Sequence, residues 1–227
     1  MIKVNDIYNN KPFYYFDTIR KDLLNLIPTK CMNGNLLEIG AGKGNTLIYA
    51  KKHRYASKVY GIDISTIDNS YQSSSEIEKF IIGDIEQIDL NFNDKLFDVI
   101  LCGDVLEHLT NPFYVVQKLK PYLSDKGVII ASIPNIREWT TMRKIFFSGD
   151  FRYEDIGILD RTHLRFFCKK NIEELFSKNG MNIFQLASNL NYTGYKRKIL
   201  NIITFKIFEE FLTTQYYIVA QNPVEKN

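Results

Sequence analysis

The sequence is short of cysteine. Its three thiols, Cys31, Cys102 and Cys168, are odd in number and far apart, and no CxxC pair occurs. That excludes a disulfide framework and gives no support to a structural zinc site. A reducing cytoplasm is the expected compartment. Long apolar runs are also missing. No stretch approaches the roughly 20 apolar residues that span a bilayer. The opening MIKVNDIYNNKPFYYF has no continuous apolar segment of the kind a secretory signal needs. Charge of one sign is lacking too: 29 Lys and Arg stand against 26 Asp and Glu, a formal +3. On that balance nucleic acid is not an expected partner. There is no internal repeat and no low-complexity linker. Alanine is scarce beside Ile, Lys and Asn, which reads as a coding bias without functional content.

What is there is ordinary globular material. Hydrophobic residues make up 45% and charged residues 24% of the chain, which excludes disorder, collagen and coiled coil as whole-chain readings. A length of 227 residues suits one decorated domain. The expected layout is a single domain over 1–227, with a helical cap over about 1–33 and a lid inserted over about 134–170.

Strands and helices alternate along the chain. Helical spacing over 13–27 ends at Pro28, and short apolar runs at 35–39, 58–62, 79–82, 96–102 and 127–132 read as strands. Helices are expected at 46–53 and 111–123 between them. Residues 135–168 are aromatic, basic and irregular. A helix over 169–179 stops at Asn179-Gly180, a strand follows at 181–187, an amphipathic helix spans 195–212, and TQYYIVAQ closes with a last strand. The alternation predicts an α/β fold, a seven-stranded, mostly parallel, Rossmann-like sheet with helices on both faces and an inserted lid.

The sharpest local signal is Leu36-Leu37-Glu38-Ile39-Gly40-Ala41-Gly42-Lys43-Gly44-Asn45. A buried strand runs into a glycine turn that opens a helix, so a ligand can approach bare backbone. Asn45 replaces the third glycine of the dinucleotide fingerprint, which disfavours a nucleotide-dependent dehydrogenase. Glu38 faces a cationic or donor-bearing part of the ligand, which a pyrophosphate is not. Asp63 ends the second strand, where an acid takes ribose hydroxyls, and Asp84 follows the third.

These motifs, with FDVILCGDVLEHL after the fourth strand, resemble those of class I S-adenosylmethionine-dependent methyltransferases. The resemblance runs from about residue 34 to 133 and more loosely to 221. It implies S-adenosylmethionine as cofactor and a seventh strand antiparallel to the rest. It also implies that Glu38, Gly40, Ala41, Gly42 and Gly44 face the methionine end, Asp63 the ribose and Asp84 the adenine. Ile64, Ile85 and Cys102 complete the candidate cofactor contacts.

A second constellation is Asp104, Glu107 and His108, with His163 from the lid. If Asp104 opens a helical turn, Glu107 and His108 share a face three and four residues on, a plausible donor set for a divalent cation such as Mg or Mn. The spacing is similar to that of ubiquinone-biosynthesis O-methyltransferases and of small-RNA 2′-O-methyltransferases, though with Asp104 where those have Glu. The alternative is that Glu107-His108-Leu109 merely caps a helix and shapes the pocket. As catalytic base, His163 is the first candidate and His108 the second, since imidazole suits proton transfer near neutral pH.

The run Ser132-Ile133-Pro134-Asn135, continued by 157–167, resembles bacterial methyltransferases that accompany surface-polysaccharide and lipopolysaccharide assembly. That implies a hydroxyl of a saccharide, or of a nucleotide- or phosphate-linked glycan precursor, as acceptor. Residues 134–170 hold eight Lys and Arg against five acids. Arg137, Arg161 and Arg165, with Trp139, are the candidate substrate contacts, because planar guanidinium forks suit phosphate. Trp139 and the Phe146-Phe147 pair could otherwise simply fill the lid, the favoured expectation. A metal-assisted enzyme for a quinone-like diol or an RNA end is a competing reading, as is a non-catalytic cofactor-binding partner. The stripe on 195–212 is expected to pack on its own sheet. Peripheral contact with a membrane is the alternative.

Overall fold

A computed structural model describes residues 17–92, 96–192 and 194–223. Seven strands form one sheet: β1 (Gly34–Ile39), β2 (Ala56–Asp63), β3 (Lys79–Ile82), β4 (Phe97–Gly103), β5 (Leu123–Pro134), β6 (Asn182–Ser188) and β7 (Gln215–Gln221). Their order is β3-β2-β1-β4-β5-β7-β6. β1 to β5 run parallel, and β7 is antiparallel to both its neighbours. This is the expected Rossmann-like sheet.

The central strands are apolar on both sides because helices cover both faces. Successive residues alternate between two cores. Leu37, Ile39 and Ile100 pack with Val115, Leu119, Leu175 and Phe176 on one face. Leu36, Val99 and Leu101 pack with Leu23, Leu24, Leu47 and Ile48 on the other. The covering helices are α1 (Lys21–Leu24), α2 (Asn45–Lys52), α3 (Pro112–Leu119) and α5 (Lys169–Ser177). The chain leaves β1 toward β2 and β3, then returns to β4 on the other side. The carboxyl ends of β1 and β4 therefore border the crevice where such sheets bind ligands.

Several expected elements change. Of the helix expected over 13–27, residues 13–16 lie outside the described residues and the rest contains only α1. The helix expected over 111–123 stops at Leu119, because Pro121 turns Lys120–Tyr122 into a single 3-10 turn, and β5 starts there at Leu123. The segment expected to be irregular holds α4 (Trp139–Ser148). Glu138 caps it by accepting from the amides of Thr140 and Thr141, and Gly149 ends it at φ 59°.

The single helix expected over 195–212 is two, α6 (Tyr195–Ile203) and α7 (Glu209–Leu212). Phe205 and Lys206, at φ 49° and 63°, break the helix between them. Core packing of that stripe is also overturned. Ile199, Leu200, Ile202, Ile203, Phe205, Ile207 and Phe208 stand exposed. Arg197 and Asn201 take the inner face, where Arg197 bonds Glu138 and the Leu212 carbonyl and Asn201 reaches Glu209. Trp139, Phe146 and Phe147 are exposed as well, so they do not fill the lid.

Candidate functional site

β1 delivers Glu38 and Ile39 into the glycine turn. Gly40, Gly42 and Gly44 hold φ values of 68°, 53° and 81°, the left-handed region that side chains disfavour. At Gly40 a Cβ would lie 2.6 Å from Val105 Cγ2, so only bare backbone fits. The Ala41 amide donates to Ile62 O at 3.0 Å and ties the turn to β2. Above it opens a cavity of about 750 Å³. Glu38, Gly40, Ala41, Gly42, Asp63, Ile64, Asp84, Ile85, Asp104 and His108 all line it.

Two candidate cofactor contacts lie outside that lining. Gly44 starts α2 as its N-cap residue. Cys102 is buried inside β4, and its burial pushes the thiol up to about 12.

Glu38 is buried, and its Oε2 has no hydrogen-bond partner. Burial pushes its carboxyl up to about 8, opposed by the nearby Arg20 guanidinium and a hydrogen bond from Thr46. Asp63 accepts from the Gly42 amide at 2.7 Å and the Ser65 amide at 3.0 Å, which fixes it beneath the turn. Asp84 accepts from the Glu86 amide and Gln87 Nε2, each at 2.9 Å. Three acids from three neighbouring strands thus border one cavity.

Asp104 does not open a helical turn. Its φ is 55°, and the next helical piece is a single 3-10 turn, Leu106–His108. Its carboxylate bonds Arg20 Nη1 at 2.8 Å, Ser132 Oγ at 2.9 Å and Gln215 Nε2. Arg20 also bonds Asp22 and Ser132. Sequence reasoning missed Arg20, Thr18, Gln215 and Tyr217, all of which line the cavity. An Arg-x-Asp in an amphipathic run gives no signal of a buried contact.

The remaining three candidate ligands do converge. Glu107, His108 and His163 present donor atoms within 4.8 Å of one another. The segment that carries His163 reaches this place because the Leu164 and Arg165 amides both donate to Glu107 O at 2.9 Å. His108 Nδ1 lies 3.1 Å from Thr162 O, and His163 Nδ1 2.9 Å from Ile158 O. A carbonyl only accepts, so both Nδ1 atoms carry the hydrogen and the neutral rings offer Nε2 as acceptor. His163 Nε2 faces Glu107 Oε1 at 4.0 Å. Both Glu107 carboxylate oxygens are buried without a hydrogen-bond partner. Burial, then Asp104, raises the Glu107 carboxyl well above its usual range. Burial, then His163, lowers His108 to about 4. The triple fits a divalent cation, since carboxylate and two imidazoles are a suitable donor set and neither Glu107 carboxylate oxygen has a hydrogen-bond partner. Asp104 is not part of it.

The substrate candidates do not gather. Arg137 pairs with Glu210 and lies over Phe211, and Arg161 pairs with exposed Asp155. Arg165 donates to the carbonyl of Thr110, a residue on the cavity rim. Trp139 stands away from the lining.

Comparison with known proteins agrees with this geometry. Residues 13–186 match the family model described as "Methyltransferase domain". Over 133 residues the chain is 26% identical to the ubiquinone biosynthesis O-methyltransferase of Actinobacillus pleuropneumoniae serotype 7, a match covering 55% of this chain and 56% of that one. The chain therefore matches little more than half the length of that relative. An S-adenosylmethionine-dependent methyltransferase from Clostridium acetobutylicum superposes with a TM-score of 0.62 at 16% identity, over 97% of this chain and 98% of that one. The plantazolicin methyltransferase BpumL, solved with SAH, gives 0.58 at 21% identity, over 97% and 90%. At those identities the two structures speak to the fold.

Proposed function

The chain belongs to the methyltransferase-domain family, and on that premise we propose that it binds S-adenosylmethionine in the cavity and methylates a hydroxyl of a small molecule. The observation that carries this reading is Glu38, a buried carboxylate with an orphaned oxygen, beside a turn where a Cβ would collide with Val105. A cationic ligand that presses on backbone satisfies both. When bound, the cofactor supplies a methyl group on a sulfonium, released to a nucleophile with the bonding electron pair left on sulfur.

This chain's own residues do the rest. Glu38 counters the positive charge of the methionine end. Gly40, Ala41 and Gly42 allow close approach, Asp63 accepts from the ribose and Asp84 from the adenine amine. His108 borders the same cavity and His163 stands behind it. His108 Nε2 therefore takes the proton of the attacking hydroxyl, and His163 holds the ring in place. Positioning at near-attack distance contributes up to about 7–11 kcal/mol in favourable systems, and a base about 10²–10⁴-fold.

The acceptor class rests on the resemblance of 132–135 and 157–167 to polysaccharide-associated methyltransferases. It is a saccharide hydroxyl, or that of a phosphate- or nucleotide-linked precursor. A second reading is favoured by the unpartnered Glu107. Glu107, His108 and His163 would hold a divalent cation, which lowers the pKa of a coordinated hydroxyl as a Lewis acid, and the acceptor is then a vicinal or quinone-like diol.

Calorimetric titration with S-adenosylmethionine tests the common premise: absence of binding ends both readings. Mass spectrometry on sugars, nucleotide sugars and diphenols then separates the acceptors. A 14-dalton gain on a sugar supports the first reading, and a gain on diphenols alone, abolished by chelation, supports the second.

A further inference from the structure

The face that α6 and the 204–208 turn present outward is apolar, and the face they turn inward is polar. This reverses the usual arrangement of a surface helix. Arg197, Asn201 and Thr204 recur at a spacing of four and three residues and so share one stripe. Arg197 is anchored to buried Glu138 at 2.7 Å and to Leu212 O at 2.9 Å. Asn201 is the one buried residue of α6. With the polar stripe spent on the protein, Ile202, Ile203, Phe205 and Ile207 stand 72%, 66%, 88% and 74% exposed. Tyr195, Ile199, Leu200 and Phe208 extend the patch. Such contiguous apolar surface marks an interaction site.

Charge decides the occupant. Residues 195–208 carry Lys196, Arg197, Lys198 and Lys206 and no Asp or Glu, and the two acids that follow, Glu209 and Glu210, are engaged by Asn201 and Arg137. Two copies meeting face to face would oppose lysine to lysine. A surface that is apolar inside and anionic at its boundary complements both features. Branched aliphatic and phenyl side chains with few hydrogen-bonding groups also suit fluid hydrocarbon, which needs no shape match. No helix among the described residues is long and apolar enough to cross a membrane, so the contact is with its surface.

We infer that α6 and the 204–208 turn dock this protein on an anionic lipid bilayer, with Ile202, Ile203, Phe205 and Ile207 entering the acyl boundary and Lys196, Lys198 and Lys206 meeting headgroups. The docking element is stapled to the base of the lid. Arg197 holds the α4 cap residue Glu138, Arg137 pairs with Glu210, and Asn135 Nδ2 donates to the carbonyls of Glu210 and Thr213. Docking thus fixes the lid at the surface of the bilayer. The inference stands independently of the methyl-transfer reading, because it rests on the outer face alone.

Flotation of the full chain with vesicles tests it, using phosphatidylcholine alone and phosphatidylcholine with phosphatidylglycerol. The expected result is binding to the anionic vesicles, at least tenfold weaker on neutral ones and weakened by added salt. The double variant Ile202→Glu/Ile203→Glu should lose at least tenfold. Lys196→Glu/Lys198→Glu should lose about as much while its apolar residues remain. Phe205→Ser, at the most exposed position, guards against misfolding, and circular dichroism melts confirm that each variant is folded. No binding to anionic vesicles overturns the inference, as does undiminished binding by folded variants. So does a dimer in sedimentation equilibrium that Ile202→Glu/Ile203→Glu splits while vesicles stay unbound.

Discussion

His108 and His163 meet edge to face, ring centroids 4.8 Å apart and planes at 68°. The two rings come from loops 55 positions apart, and only His108 borders the cavity. Their roles should separate on mutation. His108→Ala is expected to lower the transfer rate by about 10²–10⁴-fold with cofactor affinity unchanged. His163→Ala should cost less, about tenfold. Single-turnover rates at saturating cofactor, paired with calorimetry, check both. Equal losses would place His163 on the substrate as well.

Removal of divalent ions gives a sharper test of the triple. If Glu107, His108 and His163 hold a cation, chelation reduces activity and Mg or Mn restores it. Thermal melting of the wild type should also rise on adding the ion, and this rise should vanish in Glu107→Gln, a readout that needs no acceptor. Ion-independent activity and melting would reject the cation.

Glu38 makes cofactor binding depend on pH. Its carboxyl is pushed up to about 8 by burial, so near neutrality it carries a proton in the empty protein. A cationic ligand prefers the carboxylate, so affinity should rise as pH increases from 6 to 8, with proton release on binding. The stability effect has the opposite sense. The unfolded chain loses this proton near its ordinary value while the folded chain keeps it to about 8. Between those values the folded state binds more protons, and stability falls as pH rises. Glu38→Gln should flatten both profiles, as seen by calorimetry and by melts across pH.

Gly40→Ala tests the turn. Its φ of 68° and the approach of Val105 Cγ2 to 2.6 Å both oppose a side chain. A loss of about 1–2 kcal/mol in stability is expected from the backbone alone. Cofactor affinity should fall at least tenfold, and Gly40→Ala/Val105→Ala should recover part of the stability by removing the collision.

Arg20→Met leaves Asp104 and Asp22 without their shared cation. The three side chains are 15%, 36% and 22% exposed, so solvent tempers the loss. A destabilisation of about 2–3 kcal/mol is expected, below the range for a fully buried pair. Urea unfolding measures it. Arg20→Met/Asp104→Asn should be closer to wild type than Arg20→Met, because one stranded charge is gone.

Local signals in the sequence were enough to read the sheet and the three acids along its edge. A strand, a glycine turn and a helix are set within a dozen residues, since alternation, left-handed φ and capping act over a few bonds. Glu38, Asp63 and Asp84 follow once each strand's end is known. Only the tertiary structure brought Arg20 to Asp104, 84 residues away, and set Asp104 apart from Glu107, His108 and His163. It also decided which side of α6 faces water. Periodicity separates an apolar stripe from a polar one but carries no sign for in or out. Glu138 and the Leu212 carbonyl, supplied by distant chain, claimed Arg197 for the interior, and the aliphatic side chains were left outside.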